Sequence, residues 1–322
     1  MLRFGIYTEQ QYRRAGPHRR NLGAQVAYSL LDVGRNPSEE QVAMFEDLCF
    51  RLRTSNGTFR TSFPQRFVDL DAEALRWMGE LFAREVPIRI QDRAASHCLT
   101  SCDWAQRIFA AHSHAEFEAS DLILCLYELS LASGETYIVE PGGEPLQYIR
   151  PPFVLSVRHR EPRRYPLNLW LGARARQRFT RLGLPEGWQQ SETGPGYRVR
   201  RISCVHPRAA ALTARDPRFQ VRTRSVFEVT SQACDVLRTM NILNRAYFTE
   251  DQLASAANAV FDSVRVGGLW IVGRTLEEDF SNNATFFLRR EDGWQVLGRI
   301  GNGSEIEQLA FAASTSRSTR GP

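Results

Sequence analysis

Three short polar stretches hold the side chains with which this sequence could do chemistry. The first is Asp92-Arg93-Ala94-Ala95-Ser96-His97-Cys98-Leu99-Thr100-Ser101, small and polar and leading into a helical pattern. The second is Ser120-Asp121, and the third holds Asn241 and Asn244. Each follows a run that reads as a β-strand, and in open α/β sheets ligands bind just outside the carboxyl ends of the strands. Asp121 lies roughly thirty residues beyond Asp92, a spacing at which an acidic side chain can accept both hydroxyls of a ribose. Carboxylates and amides at three strand ends suit an uncharged, hydroxyl-bearing, partly cationic ligand better than a pyrophosphate. Asp121 also fits a helix N-cap or a surface acid, and Asn241 and Asn244 also fit residues that hydrogen-bond loop backbone.

Other reactive types fall into no working pattern. His97, Cys98, Cys102, His112 and His114 include metal-ligand types, but their spacing matches no recurrent zinc arrangement, so no metal is expected. No Gly-x-Ser-x-Gly elbow supports a hydrolase triad, and no Gly-x-Gly-x-x-Gly follows the first strand of the α/β pattern to hold a nicotinamide dinucleotide. Arg150-Pro151-Pro152-Phe153 reads as a turn. All 41 residues in the Lys+Arg count are arginine. Without lysine there is no Schiff base to pyridoxal phosphate, no P-loop lysine and no kinase β3 lysine.

The formal charge of +5 and pI near 9.0 suit an anionic partner. Basic and acidic residues nevertheless alternate along most of the chain, apart from Arg158 to Arg164 and Arg174 to Arg181. The charge therefore reads as a solvated surface, and nucleic acid is not an expected partner. No apolar run approaches the length of a membrane span, the first residues lack a secretory apolar core, and the six cysteines read as free buried thiols. These features predict a cytoplasmic protein that does not engage a membrane.

The elements that must position the polar stretches follow from periodicity. Residues 1 to 37 form an irregular lead-in. Ser38-Glu39-Glu40-Gln41 is a capping box that opens a helix over about 39 to 53, with Val42, Phe45, Leu48 and Leu52 on one face. A second helix starts near Asp69 or Asp71, so 1–86 is expected to be a helical N-terminal unit. From 87 to 312 the pattern is α/β: strands at 88 to 92 and 115 to 121, an insertion at 122–200 containing a hairpin around Pro141-Gly142-Gly143, and strands at 201 to 205, 219 to 227 and from 234. Arg89, Glu116 and Glu118 are unusual for a buried parallel strand. Thr249 to Gln252 caps a further helix, which Gly267-Gly268 is expected to stop before a buried strand at 269 to 273. A strand pair around Asp292-Gly293 and a helix at 304 to 310 follow, and 313–322 reads as a disordered tail. The fold class predicted is α/β: a doubly wound, Rossmann-like sheet with a helical N-terminal unit and an insertion.

Asp92-Arg-Ala-Ala-Ser-His-Cys-Leu-Thr-Ser-Cys-Asp-Trp is similar to the first motif of class I S-adenosylmethionine-dependent methyltransferases of the chemotaxis-receptor-methyltransferase-like type. Cys234-Asp-Val-Leu-Arg-Thr-Met-Asn-Ile-Leu-Asn-Arg-Ala-Tyr-Phe, the helix at 249 to 264 and Gly-Gly-Leu-Trp-Ile-Val-Gly-Arg resemble that family's fourth-strand motif and its approach to strand five. The resemblance covers about 88 to 121 and 200 to 310. It implies S-adenosylmethionine as cofactor, an adenosyl sulfonium that suits the polar strand ends, and methyl transfer to an acceptor that the sequence leaves unidentified and that is expected to be a small molecule. The alternative is a lapsed relative that keeps the fold as a binding or scaffold protein. By resemblance, Asp92, Ala94 and Ser96 line the methionine end, Asp121 holds the ribose, Ser225 lies near the adenine, and Asn241 borders the transferring methyl. Two positions depart from the family: Cys98 stands where the cofactor loop usually has glycine, and Ser225 where an acid usually meets the adenine amino group. No residue is singled out as a catalytic base. The insertion is expected to form part of an acceptor pocket.

Overall fold

The computed structural model describes residues 4–16, 25–55, 60, 62–157 and 166–318; the arginine run at 158–164 lies outside them. The chain divides into two compact units, Met1–Thr61 with Ile123–Pro207, and Ser62–Leu122 with Arg208–Pro322. This division does not fall at residue 86: the first 61 residues group with the insertion, and the second helix groups with the α/β sheet.

In the first unit, strands β5 (Cys125–Leu131), β6 (Thr136–Val139), β7 (Pro145–Arg150), β8 (Phe153–Ser156), β9 (Glu192–Gly194) and β10 (Tyr197–Ser203) make an antiparallel sheet in the order β8-β7-β6-β5-β10-β9. Period-two alternation gives this sheet two apolar faces. Leu126, Ile138, Leu146 and Ile202 pack with Phe45, Leu48 and Cys49 of helix α2 (Glu39–Arg51). That core also takes in residues near the short strands β1 (Gly5–Ile6) and β2 (Gln25–Val26) and helix α1 (Glu9–Ala15). On the opposite face Tyr127, Tyr137 and Val199 pack with Ala175 and Phe179 of helix α5 (Pro166–Arg181). The hairpin expected within the insertion is β6-β7. The strand expected at 201–205 as a return to the α/β alternation is β10, whose partners are β5 and β9 of this antiparallel sheet. Apolar alternation reveals a strand but not which sheet claims it.

The second unit is the doubly wound α/β domain. Its strands are β3 (Ile88–Arg93), β4 (Ala115–Asp121), β11 (Phe219–Thr223), β12 (Cys234–Met240), β13 (Val264–Thr275), β14 (Asn282–Arg289) and β15 (Trp294–Ile300). They lie in the order β11-β4-β3-β12-β13-β14-β15, parallel from β11 to β13 and antiparallel thereafter. The order reverses between β3 and β12, which is the topological switch point of such a sheet. Helices α3 (Val68–Leu81) and α4 (Leu99–Ala111) cover one face, where Trp104 meets Phe117 edge-on. Helices α7 (Glu250–Ser263) and α8 (Glu307–Ser318) lie on the other over β12, β13 and β14, packing on Leu237, Trp270, Val272 and Phe287. Helix α6 (Pro207–Arg215) leads into β11.

Chain between β11 and β12 forms no helix, so half of the second face stays open. Arg89, Gln91, Glu116, Glu118, Gln220 and Arg222 share that face by register and line a cavity of about 240 Å³. The charges that looked out of place in a parallel strand therefore point to solvent, where Arg89 pairs with Glu116 and Arg222 and Arg224 pair with Glu118. Two boundaries also differ from expectation. Helix α7 ends on Val264, already extended, so Gly267 and Gly268 lie inside β13, where Gly267 takes φ +80° near an irregularity in the pairing. Helix α8 runs to Ser318, into the stretch read as a disordered tail.

Candidate functional site

The loop after β3 is held by its neighbour strand. Ala95 N–H donates to the Ser120 carbonyl at 2.9 Å, and Ser96 N–H donates to Asp121 Oδ2 at 2.8 Å. Ala94, Ser96 and Cys98 all adopt left-handed backbone, with φ 58°, 56° and 66°. For a residue with a Cβ that conformation costs about 1–2 kcal/mol. Such outliers persist only where their surroundings over-determine them. Cys98, where the sequence resemblance expects glycine, is fully buried and opens α4 with no side-chain cap. Its backbone is in the left-handed region that glycine enters most readily.

Asp92 faces the interior. Its Oδ1 accepts from Arg238 Nε at 2.9 Å, and its Oδ2 accepts from Arg238 Nη2 at 2.5 Å and Ser101 Oγ at 2.6 Å. Arg238 Nη1 donates to Asp71 Oδ1 of α3 at 2.6 Å, and the guanidinium lies 4.1 Å from the Trp104 ring centroid. Arg238 is 0% exposed and stands opposite Asp92 in the β12–β3 register. Burial alone would lower the Arg238 pKa, but Asp92 and Asp71 together raise it. The acid that the resemblance places at the methionine end therefore spends its oxygens on a buried cation. The sequence signal for this network is a lone arginine in the otherwise apolar run Val236-Leu237-Arg238, which needs an acid on the neighbouring strand.

Two carboxylates share one guanidinium, and burial pushes the Asp71 pKa up to about 7 against the pull of Arg238. From an ordinary value of 3.8, such a carboxyl holds its proton more tightly folded than unfolded. Its stabilising contribution is complete below about pH 4 and is lost as pH rises through 7. The melting temperature of the Asp71→Asn variant, followed from pH 4 to pH 8, is expected to show a shallower decline than that of the parent. Parallel profiles would refute this assignment.

At the remaining strand ends the side chains mainly organise their own loops. Ser225 Oγ accepts from Phe227 N–H at 3.3 Å, and Ser225 N–H donates to Glu228 Oε1 at 2.9 Å. Asn241, at φ 63°, accepts from Thr275 N–H at 2.7 Å and so ties the end of β12 to the end of β13. Asn244 Oδ1 accepts from Ala246 N–H at 3.0 Å. Thr275 Oγ1 donates to Asn282 Oδ1 at 2.9 Å and accepts from Arg66 Nε at 3.2 Å. Arg66, whose pKa burial lowers to about 10, brings a cation to this edge. Nothing in Thr61-Ser-Phe-Pro-Gln-Arg marks it in the sequence. Beneath these groups Ala94, Val226, Ile242, Leu243 and Phe248 belong to one apolar cluster, with Phe227 edge-on to Phe248.

The structure therefore brings Ala94, Ser96, Cys98 and Asp121 together in one loop assembly, and places Ser225 and Asn241 at the ends of β11 and β12. Among the described residues, no group of three or more His, Cys, Asp and Glu side chains could hold a metal. His97, Cys98, Cys102 and His112 are buried and His114 is exposed. No described helix is long and apolar enough to cross a membrane.

No family model matches the chain, and no curated protein sequence does. Among solved structures, it is similar to an S-adenosylmethionine-dependent methyltransferase from Clostridium acetobutylicum, with 9% identity, 78% of this chain and 79% of that chain covered, and a TM-score of 0.30. It is also similar to an O-methyltransferase from neocarzinostatin biosynthesis, at 10% identity, 66% and 41% coverage and a TM-score of 0.27. A third similar structure is an O-methyltransferase family protein from Burkholderia thailandensis, at 12% identity, 66% and 40% coverage and a TM-score of 0.29. The chain spans about two-fifths of the length of the last two. The fold class rests on the strand order and helix placement of this chain itself.

Proposed function

We infer that the α/β unit binds S-adenosylmethionine along the carboxyl edge of β3, β4, β11 and β12 and transfers its methyl group to a small-molecule acceptor, as in enzymes of the chemotaxis-receptor-methyltransferase-like type. The observation that carries this reading is the clasp between Ser96 and Asp121 at the edge beside the switch point. There, strained backbone with three left-handed residues is fixed by an acid on the adjacent strand. In this reading the Ala94–Cys98 backbone borders the methionine end, Asp121 takes the ribose hydroxyls, Ser225 lies by the adenine, and Asn241 stands beside the methyl. Asp92 contributes through Arg238, by fixing β3 against β12, and not by contact. S-adenosylmethionine bound there would supply an electrophilic methyl on a positively charged sulfur. The protein's share of such an in-line displacement is positioning and charge stabilisation.

A second reading, a fold kept for binding without turnover, is favoured by the apolar cluster of Ala94, Val226 and Phe248 at the same edge and by the engagement of Asp92 with Arg238. Calorimetric titration with S-adenosylmethionine and S-adenosylhomocysteine, on the parent and on Asp121→Ala, tests the first. Micromolar binding is expected, weakened roughly 30-fold or more in the variant, as befits a lost charged hydrogen-bond acceptor worth about 2–3 kcal/mol. Absence of binding to either ligand sinks the cofactor assignment. Binding without transfer across a panel of hydroxylated and amino acceptors supports the second reading.

A further inference from the structure

We propose that the amino-terminal end of α5 docks on an anionic lipid surface. The inner face of the helix is accounted for by Leu171, Ala175 and Phe179, which are buried against the antiparallel sheet. Its first turn nevertheless leaves Leu167, Leu169 and Trp170 exposed at 41%, 50% and 54%. Three large apolar side chains exposed within one helical turn concentrate apolar surface of the kind that marks an interaction site.

Charge states what the patch meets. The helix contains four arginines and no acid. Arg176 and Arg178 reach back to Glu144 and Glu135 on the sheet, where they act as struts. Among the described residues Arg174 and Arg181 make no ion pair, and they lie on the same outward ridge as Trp170, at i+4 and i+11, with Arg174 stacked 5.2 Å from the Trp170 ring centroid. Leucine and tryptophan beside uncompensated arginines are the chemistry of an interfacial helix, whose apolar side chains enter the headgroup boundary while cations meet anionic lipid. Tryptophan in particular favours that boundary. A surface-lying helix needs no apolar run long enough to span. An RNA site would use the arginines but has no need of Leu167 and Leu169.

The test uses the full chain and sedimented vesicles of phosphatidylcholine with or without phosphatidylserine. Binding to the anionic vesicles at about 0.1 M salt is expected, with little to pure phosphatidylcholine and a marked loss at about 1 M salt, where the Debye length falls to about 3 Å. Reversing the two charges in Arg174→Glu/Arg181→Glu is expected to lower the partition coefficient at least about tenfold. Leu169→Ser/Trp170→Ser is expected to do the same by removing buried apolar area. All four side chains are exposed, so unchanged circular dichroism and melting temperature are required of both variants. No binding to anionic vesicles overturns the proposal, as does binding indifferent to Leu169 and Trp170. Homopolymeric RNA bound in place of vesicles, and lost on charge reversal alone, overturns it in favour of nucleic acid.

Discussion

Replacing Arg238 with methionine is expected to lower the free energy of unfolding by about 3–5 kcal/mol, measured as a shift in the urea midpoint at neutral pH. The loss comes from stranding Asp71 and Asp92 together in the interior, each with exposure under 5%, more than from the removed attraction. Two consequences separate this account from simple loss of packing. The deficit should shrink as the pH is lowered through 7, because Asp71, whose pKa burial raises to about 7, takes up a proton and no longer adds an unpaired charge. Adding Asp71→Leu and Asp92→Leu to Arg238→Met should recover most of the stability, because an apolar triad of similar volume is often as stable as a buried ionic one. Recovery would be incomplete, since Ser101 Oγ loses its acceptor at 2.6 Å and Trp104 loses the guanidinium on its face. A loss below about 1 kcal/mol for Arg238→Met would mean that water reaches the triad. The same variant bears on function: if Asp92 acts by bracing β3 against β12, cofactor affinity should fall with stability and return in the rescued triple variant.

Local signals in the sequence were sufficient for elements whose pattern is self-contained. The capping boxes at Ser38 and Thr249 appear with both of their reciprocal hydrogen bonds, because they are decided within four residues. The run from Cys234 is buried at every position of β12, as a central strand of a parallel sheet covered on both faces should be. What could not be read depends on partners distant in the chain. Asp92 looks like a ligand-facing acid until Arg238, 146 residues away, is seen to take both of its oxygens. Strand β10 belongs to the antiparallel sheet because Val199 and Ile202 meet β5, a choice that apolar alternation leaves undetermined. Arg89 and Glu116 seemed to contradict a covered parallel sheet, and do so only because the chain between β11 and β12 forms no covering helix. The candidate site shows the same split. Asp121 and Ser96 were visible as strand-end residues, whereas Arg66 meets the edge at Thr275, 209 residues away.

That half-open face also sets the second large expectation. With no helix over β3, β4 and β11, the apolar burial on this side of the sheet is concentrated on β12, β13 and β14 beneath α7 and α8. At its centre Trp270, 0% exposed, stacks on Phe287 at 5.4 Å and lies 5.2 Å from Trp294. Its indole Nε1–H donates to Thr239 Oγ1 at 3.0 Å, so the largest apolar side chain here is also fixed in orientation. Trp270→Ala is expected to destabilise the protein by about 3–5 kcal/mol through lost transfer energy and the cavity left among rigid rings. Trp270→Phe keeps most of the ring contacts but leaves the buried Thr239 hydroxyl without its donor, a cost of about 1–3 kcal/mol. Urea unfolding of the pair therefore separates packing from hydrogen bonding. Hydrogen exchange adds a spatial reading, because in Trp270→Ala protection should fall first in α7 and α8, which have this cluster as their seat, and later in α4, which packs on the opposite face. Simultaneous loss on both faces would instead mean that the sheet unfolds as one unit. The open half would then gain its stability from β12 at its border and not from the paired charges on its surface.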